Sequence, residues 1–198
     1  MRRSPPSPAA RLPRHSWLSR LLHWPVMVLA FGLGTGFTPA VAQADVQAKN
    51  LLAAVRALTF LENPPHGTVD LGIIRDPADA DSVRDADAAR SIIGQGLLIG
   101  DLTVRARMLS PEDVSSANGL AALLVTGRNQ VVFNAVAALA TGRSMPVFSV
   151  DPACIEANAC ALWVKSEPRI QLFINSRVAQ RENLRFTQTF SMMVKDFQ

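Results

Sequence analysis

Beyond residue 45 the apolar residues fall into short runs that switch between a helical and a strand-like period. Ala48, Leu51, Leu52, Val55 and Leu58 recur at three and four, which predicts a helix over Val46 to Leu61 with one apolar face. Asn63-Pro64-Pro65-His66-Gly67 stops it. Val69 to Ile74 is a short apolar run bounded by turn residues and reads as a buried strand. Ala78 to Ile93 reads as a helix whose acidic start, with Asp79, Asp81, Asp85 and Asp87, suits a helix amino end. Leu97 to Leu109 holds one or two strands, with Gly100-Asp101 as the turn. Ser110-Pro111-Glu112-Asp113 resembles a helix start, so a short helix is expected up to Gly119.

Leu120 to Val125 is a second buried strand, and Thr126-Gly127-Arg128-Asn129 links it to a helix over Gln130 to Ala140, closed by Gly142. Pro146 to Asn175 then carries the apolar run Pro146 to Val150, both cysteines, and two further strands, Ala161 to Lys165 and Ile170 to Ile174. In the last strand Ile170, Leu172 and Ile174 alternate with polar or aromatic neighbours, the period of a strand with one face in the core. The Pro-bearing turn Ser166 to Arg169 makes the two a hairpin. Ser176 to Asn183 and Thr187 to Lys195 read as closing helices. Strands alternating with helices imply an α/β fold of three layers: a mixed, mostly parallel sheet, helices on both faces, and a C-terminal antiparallel hairpin at its edge.

The first 44 residues have a different character. Arg2, Arg3, Arg11, Arg14 and Arg20 precede any acid, an apolar core from Pro25 to Phe37 follows, and Ala40-Val41-Ala42 and Ala42-Gln43-Ala44 are overlapping A-x-A patterns. Residues 1–44 are therefore read as a secretory signal peptide cut after Ala44, leaving 45–198 as one exported domain. The alternative is an uncleaved anchor, but a membrane span needs about 20 apolar residues, and Gly32, Gly34 and Gly36 thin this core. This reading changes the charge argument. The whole chain is +4, with 20 Lys+Arg and 16 Asp+Glu; the five leader arginines removed, 15 bases face 16 acids, a net of −1. The basic balance belongs to the export signal, and no nucleic acid partner is expected. Two cysteines in an exported chain imply one disulfide, Cys154 to Cys160, the alternative being two separate buried thiols.

Catalytic machinery is sparse. Past the leader there is one histidine, His66, in a Pro/Gly turn, and no G-x-S-x-G elbow or P-loop. Gly94-Gln95-Gly96 follows a predicted helix, the wrong context for a dinucleotide site. One histidine and two oxidised cysteines do not make a four-ligand zinc site. No enzyme activity, cofactor or metal is expected. Parallel sheets bind ligands beyond the carboxyl ends of their strands, and three such ends carry polar residues: Arg75 and Asp76; Thr126, Arg128 and Asn129; Ser149 and Asp151. They form a candidate ligand crevice in which Arg128 would hold an anion beside a helix amino end. Ordinary solvated loop residues are the other reading.

Pro146-Val147-Phe148-Ser149-Val150-Asp151, a loop, an apolar strand, Arg169-Ile170-Gln171-Leu172-Phe173-Ile174-Asn175 and a helix-rich tail resemble the YfiR/HmsC-like periplasmic family. Asn175 stands where that family has an asparagine. The first helix and Leu120 to Met145 are similar to the family's opening helix and its strand–helix–strand middle. Two departures stand out: Asn63-Pro64 where family members often have aromatic-Trp-Pro, and cysteines where the loop before the hairpin often has glycines, although a short-loop disulfide near this place is also known there. The resemblance implies a periplasmic regulator that represses an inner-membrane diguanylate cyclase through its periplasmic sensor domain, lowering cyclic-di-GMP signalling and biofilm formation. It also allows a homodimer and contact with an outer-membrane lipoprotein. The alternative is a periplasmic small-molecule (anion) binding module that uses the crevice near Arg128.

Overall fold

A computed structural model describes residues 40–166 and 168–198, with side chains from Gln47 onward. The expected signal core and its arginines lie outside the described residues, and the cut expected after Ala44 falls within the first helix, α1 (Ala40–Arg56). The strands are β1 (Gly67–Ile74), β2 (Leu97–Ile99), β3 (Leu102–Leu109), β4 (Leu120–Val125), β5 (Val147–Ser149), β6 (Leu162–Lys165), β7 (Gln171–Ile174) and β8 (Lys195–Asp196). They form one sheet in the order β2-β3-β1-β4-β5-β6-β7-β8. The inner five, β3-β1-β4-β5-β6, are parallel. The pairs β2–β3 and β6–β7 are antiparallel, and β8 runs parallel to β7.

The remaining helices are α2 (Ala80–Ile93), α3 (Gln130–Ala140), α4 (Ala153–Glu156), α5 (Ser176–Arg181) and α6 (Gln188–Met193). Strand alternation sorts the core into two halves, one on each face of the sheet. Leu71, Ile73, Ala122, Leu124 and Phe148 pack with α1, α2, α5 and α6. Ile74, Leu123, Val125 and Val147 pack with α3 and the Cys154–Cys160 pair. These strands are buried on both faces, which is why they read as continuous apolar runs rather than as alternating ones. The parallel strands run β3-β1-β4-β5-β6, with β1 and β4 side by side inside the set. The connection from β1 to β3 leaves in one direction and the connection from β4 to β5 in the other. Right-handed crossovers then put α2 and α3 on opposite faces. The carboxyl ends of β1 and β4, side by side, are the point where the winding reverses.

The disagreements with the sequence reading lie at element ends. The first helix gives way to a 3-10 turn at Ala57–Phe60, and Leu61 turns extended to bridge Phe186; the Glu62 N–H donates to the Arg185 carbonyl and the Thr187 N–H to the Phe60 carbonyl, both at 2.9 Å, which ties this exit to the 185–187 segment. The helix expected after Ser110 is a turn followed by three 3-10 residues, Val114–Ser116. Here the Ser110 N–H and hydroxyl both donate to Asp113 Oδ2, at 3.3 and 2.9 Å, closing a local turn instead. Ile170 lies just before β7 and is exposed, while Leu172 and Ile174 pack against the core. The last helix is shorter than expected: the chain leaves it at Val194 and adds β8, so β8 and not the hairpin forms that edge. The Phe197 N–H donates to the Ile174 carbonyl at 2.7 Å, fixing this extra strand. The Gly100–Asp101 turn joins β2 to β3 as expected, with Gly100 at a φ of 59°.

Candidate functional site

The three strand ends do meet. Asp76, Thr126 and Ser149, all buried, follow β1, β4 and β5 or close them. Asp79 caps α2, its Oδ1 accepting from the N–H groups of Asp81 (2.9 Å) and Ser82 (3.2 Å). Asn129 caps α3, its Oδ1 accepting from the Val131 N–H at 2.9 Å. Both helices thus start at the winding reversal with their own side chains on their first amides.

The crevice residues are tied to one another. Asp76 Oδ1 accepts from the Ala78 N–H at 2.9 Å, Oδ2 accepts from Asn129 Nδ2 at 2.6 Å, and the Asp76 N–H donates to Ser82 Oγ at 2.9 Å. Thr126 Oγ1 donates to the Ile74 carbonyl and lies 2.7 Å from Ser82 Oγ, so β1, β4 and α2 are joined through two hydroxyls. Arg128 directs Nε and Nη2 to one oxygen of Asp151, at 2.9 and 2.7 Å. Asp151 is held in place in turn: its Oδ1 accepts from the Ala153 N–H at 2.8 Å and its own N–H donates to Ser149 Oγ at 3.0 Å. The Arg128 N–H donates to Asp79 Oδ2 at 3.3 Å.

Six of the seven expected residues therefore belong to one hydrogen-bonded cluster at the strand ends. Arg75 does not; its Nε is 3.3 Å from Asp87 on the outer surface of α2. The network also contains Asp79, Ser82 and Gly127, which the sequence reading left out. Asp79 carried a signal, since an acid just before an apolar-periodic helix is a cap.

Each charge at the strand ends is already met by donors or by an opposite charge. Hydrogen bonds from the Ser82 and Arg128 amides hold the Asp79 carboxyl below its ordinary range. The Asp151 side chain, with Asp79 and Asp81 nearby, raises the Arg128 guanidinium. An incoming anion would have to displace Asp151 from Arg128 in a setting already rich in carboxylates. Among the described residues, no group of three or more His, Cys, Asp or Glu could hold a metal ion.

No protein-family model matches the chain, and no curated protein matches it. Solved structures do resemble it in fold. One is an ABC domain from Streptococcus pneumonia in complex with L-Trp: TM-score 0.52, 13% identity, 76% of this chain and 61% of that one. A conserved domain protein from Vibrio cholerae has a TM-score of 0.51 and 11% identity over 77% of this chain and 60% of that one. The ligand-free, open form of a substrate-binding protein with adhesive properties from Clostridium difficile has a TM-score of 0.52 and 13% identity over 76% of this chain and 59% of that one. This chain spans about three-fifths of the length of each. The shared feature is the α/β architecture.

The expected disulfide is formed. Cys154 and Cys160, with Cα atoms 5.4 Å apart and both buried, close a loop that starts with α4. A disulfide fits an oxidising compartment outside the cytoplasm. Asn158, inside that loop, accepts on Oδ1 from Asn175 Nδ2 at 3.0 Å. Asn175 Oδ1 accepts from the Val178 N–H at 3.1 Å and so caps α5. His66 is exposed in the loop before β1.

Proposed function

We propose that this protein is a periplasmic regulator that acts by binding. It holds the periplasmic sensor domain of an inner-membrane diguanylate cyclase in a resting state, and so lowers cyclic-di-GMP signalling and biofilm formation. The observation that carries the reading is how the segment resembling the YfiR/HmsC-like family is built. Its apolar runs become the adjoining strands β5, β6 and β7. Asn175, the asparagine of the resemblance, ties the end of β7 to the disulfide loop and to α5. A module of this kind acts without chemistry, by binding one state of its partner better than the other. The polar residues of the strand-end crevice are spent on one another, which leaves the surface for recognition. Met192 and Met193 on α6 are 74% and 57% exposed and offer that surface two adaptable apolar side chains.

The test is co-purification. The protein, unreduced, is used as bait for its own solubilised membranes, and bound proteins are identified by mass spectrometry. A membrane-anchored protein with a cytoplasmic cyclase domain is the expected catch, and Met192→Glu with Met193→Glu is expected to lose it. Recovery of the bait alone would remove the reading.

A second reading, small-molecule binding, draws on the fold shared with a substrate-binding protein and with a domain solved in complex with L-Trp. In that reading Arg128→Ala abolishes capture of an anionic ligand while stability stays unchanged.

A further inference from the structure

Strand alternation gives β6, β7 and β8 two different faces. Leu162, Val164, Leu172 and Ile174 pack into the core half that carries α1, α2, α5 and α6. The other face holds Trp163 opposite Phe173, and Phe173 opposite Lys195, with Lys165 and Phe197 two residues further along. The three rings belong to neither core half, and each stays partly open to solvent. They pack on one another: Trp163 stacks on Phe173 with centroids 4.7 Å apart, and Phe197 meets Trp163 edge-on at 6.3 Å. The Trp163 N–H donates to the Val150 carbonyl at 3.3 Å, which holds the indole in place. The Lys195 ammonium lies over Phe173, 5.8 Å from its ring centre, and the exposed Lys165 and Arg169 stand on the hairpin. Charge is divided along the chain in the same sense. Residues 165–198 hold six Lys and Arg against three Asp and Glu, whereas residues 45–164 hold nine against thirteen. Of those three acids, Glu182 is buried and Glu167, in the hairpin turn, lies outside the described residues. Asp196 alternates to the opposite face of β8, where its Oδ1 accepts from the Ser176 hydroxyl at 2.6 Å.

We propose that this face of β6, β7 and β8 docks on the surface of an anionic phospholipid bilayer, with Lys165 and Lys195 at the phosphates and the aromatic cluster at headgroup level. Clustered Lys and Arg are drawn to the negative potential of anionic lipid. Aromatic rings settle at the membrane–water boundary, where an apolar body and a wet edge are both accommodated. Lysine stems lie along apolar surface while the ammonium reaches outward. A sugar or a base would need a free ring face to stack on, and here Phe173 has Trp163 against it and the Lys195 ammonium over it. A peptide added as a further strand would need a longer edge than the two residues of β8. The proposal goes beyond the regulatory reading and does not rest on it. Met192 and Met193, offered there to a protein partner, belong to α6, whose Phe190 packs on the other face of the sheet.

The probes are vesicles of phosphatidylcholine alone and of phosphatidylcholine with one-third phosphatidylglycerol. They are mixed with residues 45–198, the chain that export would leave, which falls within one compact unit. Flotation measures the partitioning. Trp163 is the only tryptophan past residue 44 and the chain has no tyrosine, so intrinsic fluorescence reports this face alone. The expected result is binding roughly tenfold or more stronger to the anionic vesicles, with Trp163 quenched by lipid brominated next to the headgroup. Lys165→Gln with Lys195→Gln should lower that binding roughly tenfold or more, since one cation at such a surface is worth about fivefold. Arg56→Gln with Arg90→Gln makes the same change in net charge on α1 and α2 and should leave binding within about twofold. All four side chains are exposed, so the variants keep the fold, which circular dichroism checks. Equal binding to both kinds of vesicle, bound protein with Trp163 unquenched, or an equal loss in the two double variants would overturn the proposal. So would stronger binding to soluble polyglutamate than to the vesicles, which would give the face to an acidic protein segment. The vesicles contain no protein and the solubilised-membrane experiment contains no bilayer, so the two ideas fail separately.

Discussion

Gly127 sits against Asp79 with no room for a side chain: a β-carbon at 127 would fall 2.5 Å from Asp79 Oδ2 and 2.8 Å from Ser82 Cβ. Its φ of 79° is itself a conformation that L side chains rarely adopt. Steric and backbone demands coincide here because β4 must turn sharply into α3 while its loop rests on the capped start of α2. Gly127→Ala should therefore destabilise the protein by about 2–4 kcal/mol, combining left-handed strain and overpacking. Gly100→Ala is the control. Gly100 has φ near 59° with nothing within 4 Å of the added carbon, so only the backbone cost of about 1–2 kcal/mol should appear. Urea denaturation of both variants checks this, and equal midpoints would show that the contact with Asp79 and Ser82 costs nothing.

Arg128 and Asp76 look alike in sequence, as charged residues at strand ends, but the structure gives them different work. The Arg128 side chain is 73% exposed, so its pairing with Asp151 is screened by solvent. Arg128→Ala should leave the denaturation midpoint nearly unchanged, with any small loss disappearing in 0.5 M salt (roughly a 4 Å screening length). Asp76 is 5% exposed; its carboxylate accepts from the Ala78 N–H and from Asn129 Nδ2, while its backbone N–H donates to Ser82 Oγ. Asp76→Ala keeps the backbone bond but leaves two half-buried donors unpaired, and should cost about 2–4 kcal/mol. A larger effect at Arg128 than at Asp76 would reverse this ordering.

The alternation of strands and helices was legible because the central strands β1, β4 and β5 are buried on both faces along most of their length, and each longer helix shows one apolar stripe with a cap or stop. That polar residues gather beyond the strand carboxyl ends was also legible. Their pairing was not, because a loop aspartate does not encode its partner; Asp76 meets Asn129 across 53 positions of chain. Short elements escaped for a related reason. β8 has two residues and exists only because β7 offers an edge, and the turn at Ser110 depends on a single aspartate.

The Cys154–Cys160 bridge joins residues six apart and is buried. In the loop-entropy model so short a loop contributes about 2 kcal/mol. Replacing both cysteines by serine should lower stability by at least that much, because two hydroxyls would also enter an apolar site. The loop between the cysteines carries Asn158, the partner of Asn175. Loosening it should expose the start of α5 to hydrogen exchange before the rest of the sheet. If binding of the membrane partner senses redox state, the double serine variant binds it more weakly; unchanged binding would show that the bridge is structural only.

Glu182 ends α5 fully buried, and neither carboxyl oxygen has a hydrogen-bond partner. The nearest opposite charge is Arg181 Nη2, 3.6 Å from Oε1. Burial raises the Glu182 carboxyl from its ordinary 4.5 to about 8, and the Arg181 charge only partly opposes this. The acid is therefore protonated in the folded protein and ionised in the unfolded chain between those two values. In that window the folded state holds the extra proton, so stability is fully present below pH about 4.5 and falls as pH rises toward 8. The slope from this group alone is about 1.4 kcal/mol per pH unit, and it flattens once the folded protein has also ionised. The backbone around Glu182 makes the loss local at first: its carbonyl accepts from the Ser144 N–H at 2.9 Å, and Ser144 Oγ and Asn183 Nδ2 are 3.1 Å apart. Glu182→Gln keeps the shape and cannot ionise. It should remove this part of the slope, leaving the variant more stable than the native protein above pH 8 and no more stable at pH 5. Urea midpoints measured from pH 5 to 9 for both proteins decide the matter, and parallel curves would show that Glu182 titrates like an exposed glutamate.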